Sequence, residues 1–362
     1  MNNDKNLKRK IGQLFMVGIP GTKLDDKTLN RIQNLHIGSF ILFRKNTPDP
    51  KTTAILCNDL QNEAQRNNHD LELLLAIDQE HGRVIRINNG LTIFPCQQDI
   101  GKIGDESISR KTAEIIGKEL RLMGLNINFS PVADVNSNPK NPVIGDRSFG
   151  DNAQLAAQMT AQYIKGYQDA EIISCAKHFP GHGDVTIDSH LDLPVVEKTI
   201  DELFKTELVP FQKAIDQKVP TIMTAHILYK KIDPKYPATA SYEILENLLR
   251  KKLGFKGVII SDDLQMKALT RHYDLPELTI KIINAGCDLL IFSENLDCDY
   301  GFEEIYDCVY KSVKSNKISM ERIDEAVNRI IQLKRSISKK EIDISKLMQD
   351  DDVKFAQSIS NY

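Results

Sequence analysis

The chain has 362 residues, 41% apolar and 27% charged, with a net charge of −3 and a pI near 6.3. This is an ordinary globular composition, and it offers no basic surplus for nucleic acid or an anionic membrane. No apolar run reaches the roughly 18 residues of a spanning helix, so no transmembrane segment is expected.

The first residues, MNNDKNLKRKIGQLFMVGIPG, are basic. Their apolar stretch is short and interrupted, and no small-residue cleavage pattern comes after it, so no signal peptide is read. Cys57, Cys96, Cys175, Cys287, Cys298 and Cys308 lack CxxC spacing and are expected to stay reduced. A cytoplasmic location is expected on these grounds.

Short apolar runs then alternate with amphipathic ones. The runs lie at 14–19, 37–43, 73–78, 127–134, 172–179, 221–227, 257–263 and 288–293. They are continuous rather than alternating, as parallel strands buried on both faces require. Between them, Ile108, Ile115, Ile116, Leu120 and Met123 recur at helical spacing, with Gly124 as a stop. Ser241 is placed to cap a helix striped by Leu245, Leu248, Leu249 and Leu253 and ended by Gly254. A further stripe covers 322–334. Strands alternating with helices predict an α/β fold, a (β/α)8 barrel over 1–335, with a polar, helical tail over 336–362. A doubly wound open sheet is the alternative. The barrel is favoured because Asp78, Asp134, Lys177, His178, His226 and Asp262 all end strands, and a barrel gathers strand ends into one ring.

The segment KHFPGHGDVTIDSHLDLP (177–194) holds three histidines. Pro180, Gly181 and Gly183 break any helix there, removing the one-face geometry of helical HxxxH zinc sites; ligation from a loop stays open. GxxxxGK[ST] is absent, which weakens a phosphate cradle. Acid–base chemistry fits better. Asp188 stands two residues before His190, where a carboxylate can orient an imidazole and choose its tautomer. Asp262 ends a strand, where an acid can act as nucleophile, and Asp263 is placed to cap the next helix. Arg86 and Arg147 sit in loops beside strand-end acids, a pattern suited to sugar recognition.

Taken together, IGQLFMVG, IGSFILF, AIDQEHGRV, FSPVADVNSNPKNPVIGDRSFG, KHFPGHGDVTIDSH, TAHI and GVIISDDLQM resemble glycoside hydrolase family 3, in its bacterial single-domain β-N-acetylglucosaminidase branch. The resemblance implies a (β/α)8 barrel with Asp262 as nucleophile and His190, paired with Asp188, as general acid/base. It implies that Asp78, Arg86, Arg147, Lys177 and His178 hold the N-acetylglucosamine ring, with Arg83 and Asp134 in matching motifs. No metal or other cofactor is expected. The expected partners are N-acetylglucosamine-containing saccharides, cell-wall muropeptides in particular, met by a monomer without nucleic acid or membrane. His81 stands where the family commonly has glycine, and its side chain is expected to narrow the pocket rim. Phosphorolysis at the same site, a metal-dependent barrel hydrolase and a non-catalytic sugar-binding protein are the alternatives.

Overall fold

The computed structural model describes residues 2–67, 69–338 and 341–360. Eight parallel strands close on themselves: β1 (Phe15–Gly18), β2 (Ser39–Leu42), β3 (Leu74–Ile77), β4 (Ile127–Asn128), β5 (Ile173–Phe179), β7 (Thr221–Thr224), β9 (Val258–Asp263) and β10 (Leu289–Phe292). Two short strands, β6 (Val195–Val196) and β8 (Leu228–Tyr229), form a separate parallel pair in the loops above. Each barrel strand pairs with the next in the chain, and β10 pairs back onto β1. This is the (β/α)8 barrel expected, with one strand inside each predicted run.

The strands are apolar on both faces because both faces are buried. Along β3, Leu74 and Ala76 point into the barrel with Met16, Ile41, Met223 and Ile260, while Leu75 and Ile77 pack outward among the helices. Ile330 and Leu333, from the helix Met320–Arg335, join the inner group. Asp105 caps the helix Glu106–Leu122, and Gly124 leaves it at a φ of +88°, a left-handed exit that suits glycine. The segment Glu243–Lys252 is helical and buries Leu245, Leu248 and Leu249 as predicted. Its bonds run five residues back, so it is wider than the α-helix expected. After Arg335 the chain returns as the helix Asp350–Ser360, burying Ala356 and Ile359 and setting Phe355 against Phe94.

β4 is shorter than predicted. The regular strand stops at Asn128, close before Pro131, which has no N–H to donate; beyond it Ser130 O, Pro131 O and Ala133 N still make backbone bonds to β5, with Val132 and Lys177 in an isolated bridge. Two asparagine side chains add bonds toward the β3 segment. Asn126 Oδ1 accepts from Leu75 N and its Nδ2 donates to Leu73 O, both at 2.8 Å. Asn128 Oδ1 accepts from Gln79 N and its Nδ2 donates to Gln79 O, both at 3.0 Å. Gln79 lies between Asp78 and Glu80, so Asn128 also fixes the backbone of the site. Asn128→Ala should strip two buried backbone groups of partners and destabilise the fold by about 2–4 kcal/mol. Denaturant unfolding measures this, and a change within error of zero would contradict the assignment.

Candidate active site

The strands' C-terminal ends surround a cavity of about 390 Å³, within the usual range for small-molecule sites. Its wall is built around a buried ammonium. Lys177, on β5, is 1% exposed; its Nζ donates to Asp78 Oδ1 at 2.8 Å and forms an ion pair with Glu80 Oε1 at 2.5 Å. Arg147 holds Glu80 through two bonds, at 2.8 and 2.9 Å. Arg86 reaches Asp78 Oδ2 at 3.2 Å. Burial alone would raise both carboxyls, but these cations outweigh it and hold Asp78 and Glu80 below the usual range, Glu80 at about 2. Among the described residues the Arg86 Nε has no partner though it is buried, beside the cavity the side chain lines; a buried donor left unpaired is a place for a ligand's acceptor.

Asp134, fully buried, organises the next sector. It accepts from His178 N at 3.1 Å, from His178 Nδ1 at 2.8 Å and from His182 N at 2.6 Å. His182 Nε2 lies 3.0 Å from Ser189 Oγ, tying the strand end to the loop that carries Asp188 and His190. Gly183 lets this loop cross tightly, since a Cβ there would lie 1.6 Å from Val135 O. The β6–β8 pair anchors the loop's far end. Asp188 Oδ1 accepts from both His190 N, at 2.8 Å, and His190 Nδ1, at 2.9 Å. That tautomer leaves Nε2 available at the cavity mouth. The His190 side chain is 54% exposed there.

β9 ends in two acids with different surroundings. Burial would raise Asp262, but His178, His226, His190 and the Asp263 amide hold it below the usual value. Burial raises Asp263 to about 6 despite its bonds to Ser293 and the Gln265 amide. The two adjacent carboxyls are thus pushed apart, with Asp262 the more acidic of the pair and part of the cavity wall. The expectation that Asp263 caps a helix is corrected. It binds Ser293 and the Gln265 turn, joining the end of β9 to the end of β10.

Asp78, Arg86, Arg147, Lys177, His178, His190 and Asp262 all line one cavity, with Asp188 behind His190. Glu80, His182 and Ser189 also line it and had no sugar-site role assigned from the sequence. Glu80 had a signal: it stands two residues beyond Asp78, on the same side of an extended chain. Arg83 serves the wall indirectly, pairing with Asp146 at 2.8 Å and donating to Ile144 O at 2.9 Å. His226 sits behind β9, its Nε2 3.0 Å from Asp263 O. The reading of His81 is corrected. At a φ of +71° its ring turns inward, is 4% exposed, and accepts from Phe94 N through Nδ1 at 3.2 Å; it does not reach the rim. Among the described residues, no group of three or more His, Cys, Asp or Glu side chains is arranged to hold a metal, and no helix is long and apolar enough to cross a membrane.

Because its folded pKa is depressed, Glu80 stabilises the fold fully above its ordinary value of 4.5 and loses that contribution as pH falls toward about 2. Glu80→Gln should lower stability at pH 7 and flatten the acid limb in that window. Denaturant melts across pH read both, and an unchanged acid limb would count against the paired ring.

The family model described as glycosyl hydrolase family 3 N terminal domain matches residues 6–333. The chain is 37% identical over 336 residues to beta-hexosaminidase A of Pseudoalteromonas piscicida, covering 87% of this chain and 56% of that protein. It is 35% identical over 289 residues to a beta-hexosaminidase of Methylobacillus flagellatus, covering 78% and 81%. The solved glycoside hydrolase family 3 beta-N-acetylglucosaminidase of Paenibacillus sp. superposes with a TM-score of 0.91 at 38% identity, over 98% of this chain and 68% of that one. With its barrel, and with the matched region spanning every strand, this chain belongs to glycosyl hydrolase family 3.

Proposed function

We propose that the chain is a retaining exo-acting β-N-acetylglucosaminidase that works through a covalent intermediate on Asp262. The observation that carries this is the pairing of an ionised Asp262 within the cavity with an Asp188-oriented imidazole at its mouth. Relatives bearing the names beta-hexosaminidase and beta-N-acetylglucosaminidase support the substrate class.

In the first step a carboxylate oxygen of Asp262 attacks the anomeric carbon, and the glycosidic bond breaks. The electron pair leaves on the aglycone oxygen, which takes the proton from His190 Nε2. In the second step His190 takes a proton from water, the water oxygen attacks the anomeric carbon, and the ester to Asp262 breaks. Two inversions give net retention. Two carboxyl groups usually share this work; here the imidazole of His190 replaces one, with Asp188 orienting the ring through Nδ1. Lys177, Arg86, Arg147, Asp78 and His178 hold the sugar ring. Within this class the proposed donor is a muropeptide fragment of the cell wall, an assignment that rests on the family resemblance alone.

If His190 is the acid, His190→Ala should slow substrates with poor leaving groups by about 10²–10⁴. An activated aryl N-acetylglucosaminide, whose leaving group departs as an anion, should still form the glycosyl-enzyme readily and then stall for want of a base. Asp188→Asn should show a milder loss and a shifted pH profile. Burst kinetics on matched substrates make the comparison, with products analysed with and without added phosphate to separate hydrolysis from phosphorolysis. Equal slowing of activated and unactivated substrates would sink the assignment.

A further inference from the structure

At the opposite end of the barrel, where the strands begin, a second cavity of about 440 Å³ lies between the helices Asn2–Gln13 and Met320–Arg335. Lys334 lines it and is 4% exposed. Its Nζ donates to two neutral acceptors, Gln13 Oε1 and Gly38 O, both at 2.7 Å. No carboxylate among the described residues pairs with it, and burial pulls the ammonium down to about 7. Gln13 in turn donates to His36 O at 3.0 Å, linking Lys334 to His36.

His36, also in the lining, takes a left-handed φ of +54°, and its ring has no hydrogen-bond partner among the described residues. Its centroid is 6.1 Å from that of His69, whose Nε2 lies 3.1 Å from Ile32 O. Arg9 completes the wall, again without an ion-pair partner among the described residues. These groups repel one another's protons. Burial first, then Arg9, His69, Lys5 and Lys8, brings His36 down to about 4; burial, Lys334 and Arg9 lower His69. Two acids line the cavity. Asp324 is engaged by Lys10 at 2.5 Å, and Asp70 is exposed on the rim. Burial of Lys334 without a carboxylate favours its neutral form, which a bound anion would reverse, and Arg9, His36 and His69 line the same hollow.

We infer that this cavity binds a tetrahedral dianion, a phosphate monoester or free inorganic anion, through Arg9, Lys334 and the imidazoles of His36 and His69. Donors on the N-terminal helix, on the last helix and on the segments leading into β2 and β3 approach from several sides. They suit a group with several acceptor oxygens in three dimensions better than a planar carboxylate. The site stands at the strand starts, away from the sugar cavity, and does not depend on the reaction proposed there. Because a bound dianion favours the protonated forms of Lys334, His36 and His69, binding should take up protons and strengthen as pH falls.

The test is calorimetric titration of the whole chain with sulfate and, separately, glycerol 2-phosphate, at pH 6 and pH 8. Sulfate keeps both charges across this range, so its pH dependence reports the protein. Saturable binding is expected in at least one arm, tighter at pH 6, with the His36 and His69 ring signals shifting in NMR spectra. Tighter binding of the ester would point to a phosphorylated small molecule, and equal binding to a free anion. Arg9→Gln and Lys334→Met should each weaken it by about tenfold or more. Arg9 is only half-buried, so Arg9→Gln decides the matter even where Lys334→Met fails to fold. No saturable binding of either probe, or binding unaltered by Arg9→Gln, would overturn the proposal.

Discussion

The site depends on one arrangement: an ammonium buried in the barrel's mouth between two carboxylates. Below Lys177 the barrel is filled with apolar side chains, so the charge has no route to bulk water. Asp78 and Glu80 both reach it from the end of β3, because residues two apart on an extended chain point the same way. Two carboxylates on one ammonium leave one surplus negative charge, which Arg86 and Arg147 more than offset. Each arginine brings its own loop into register. The ring therefore specifies where the loops after β3 and β4 can sit. A buried ion-pair ring of this kind is weak evidence for added stability; its value here is geometric.

The acid/base side is built on a different principle. Asp134 uses its two oxygens to hold His178 and His182, and His182 passes the constraint to Ser189. Ser189 is the immediate neighbour of His190, which stands half in solvent. Exposure at that point suits the proposed acid, which would have to meet leaving groups of different shape and then admit water. Asp262 lies on the strand itself, where its position is set by the barrel. One partner is fixed and the other is carried on a loop with a stiff root.

Much of this was legible in the sequence. Continuous apolar runs disclosed all eight barrel strands, since parallel strands in a barrel are buried on both faces. The polar residues ending those runs marked the ring. What was lost was local. β6 and β8 are two residues each, too short to show any periodicity. The early end of β4 had a signal in Pro131, but the asparagine side chains that bind the β3 segment had none. Asp263 looked like a cap because an acid before a helical segment usually is one; the cross-strand bond to Ser293 needs the fold to be seen. His81 misled for a similar reason. Its direction is set by a left-handed backbone, and a non-glycine residue gives no warning of that conformation. The basic cavity at the strand starts was invisible because Arg9, His36, His69 and Lys334 are scattered through the chain and meet only when the barrel closes.

The central claim is that Asp262 carries the sugar between the two steps. The direct measurement is to inactivate the protein with a fluorinated N-acetylglucosaminyl donor that departs quickly and hydrolyses slowly, then map the label by peptide mass spectrometry. The account predicts one glycosyl group, esterified to Asp262. A label on Asp263 would contradict it, and so would normal turnover with no label at all, which would place the attack on the substrate's own acetamido group.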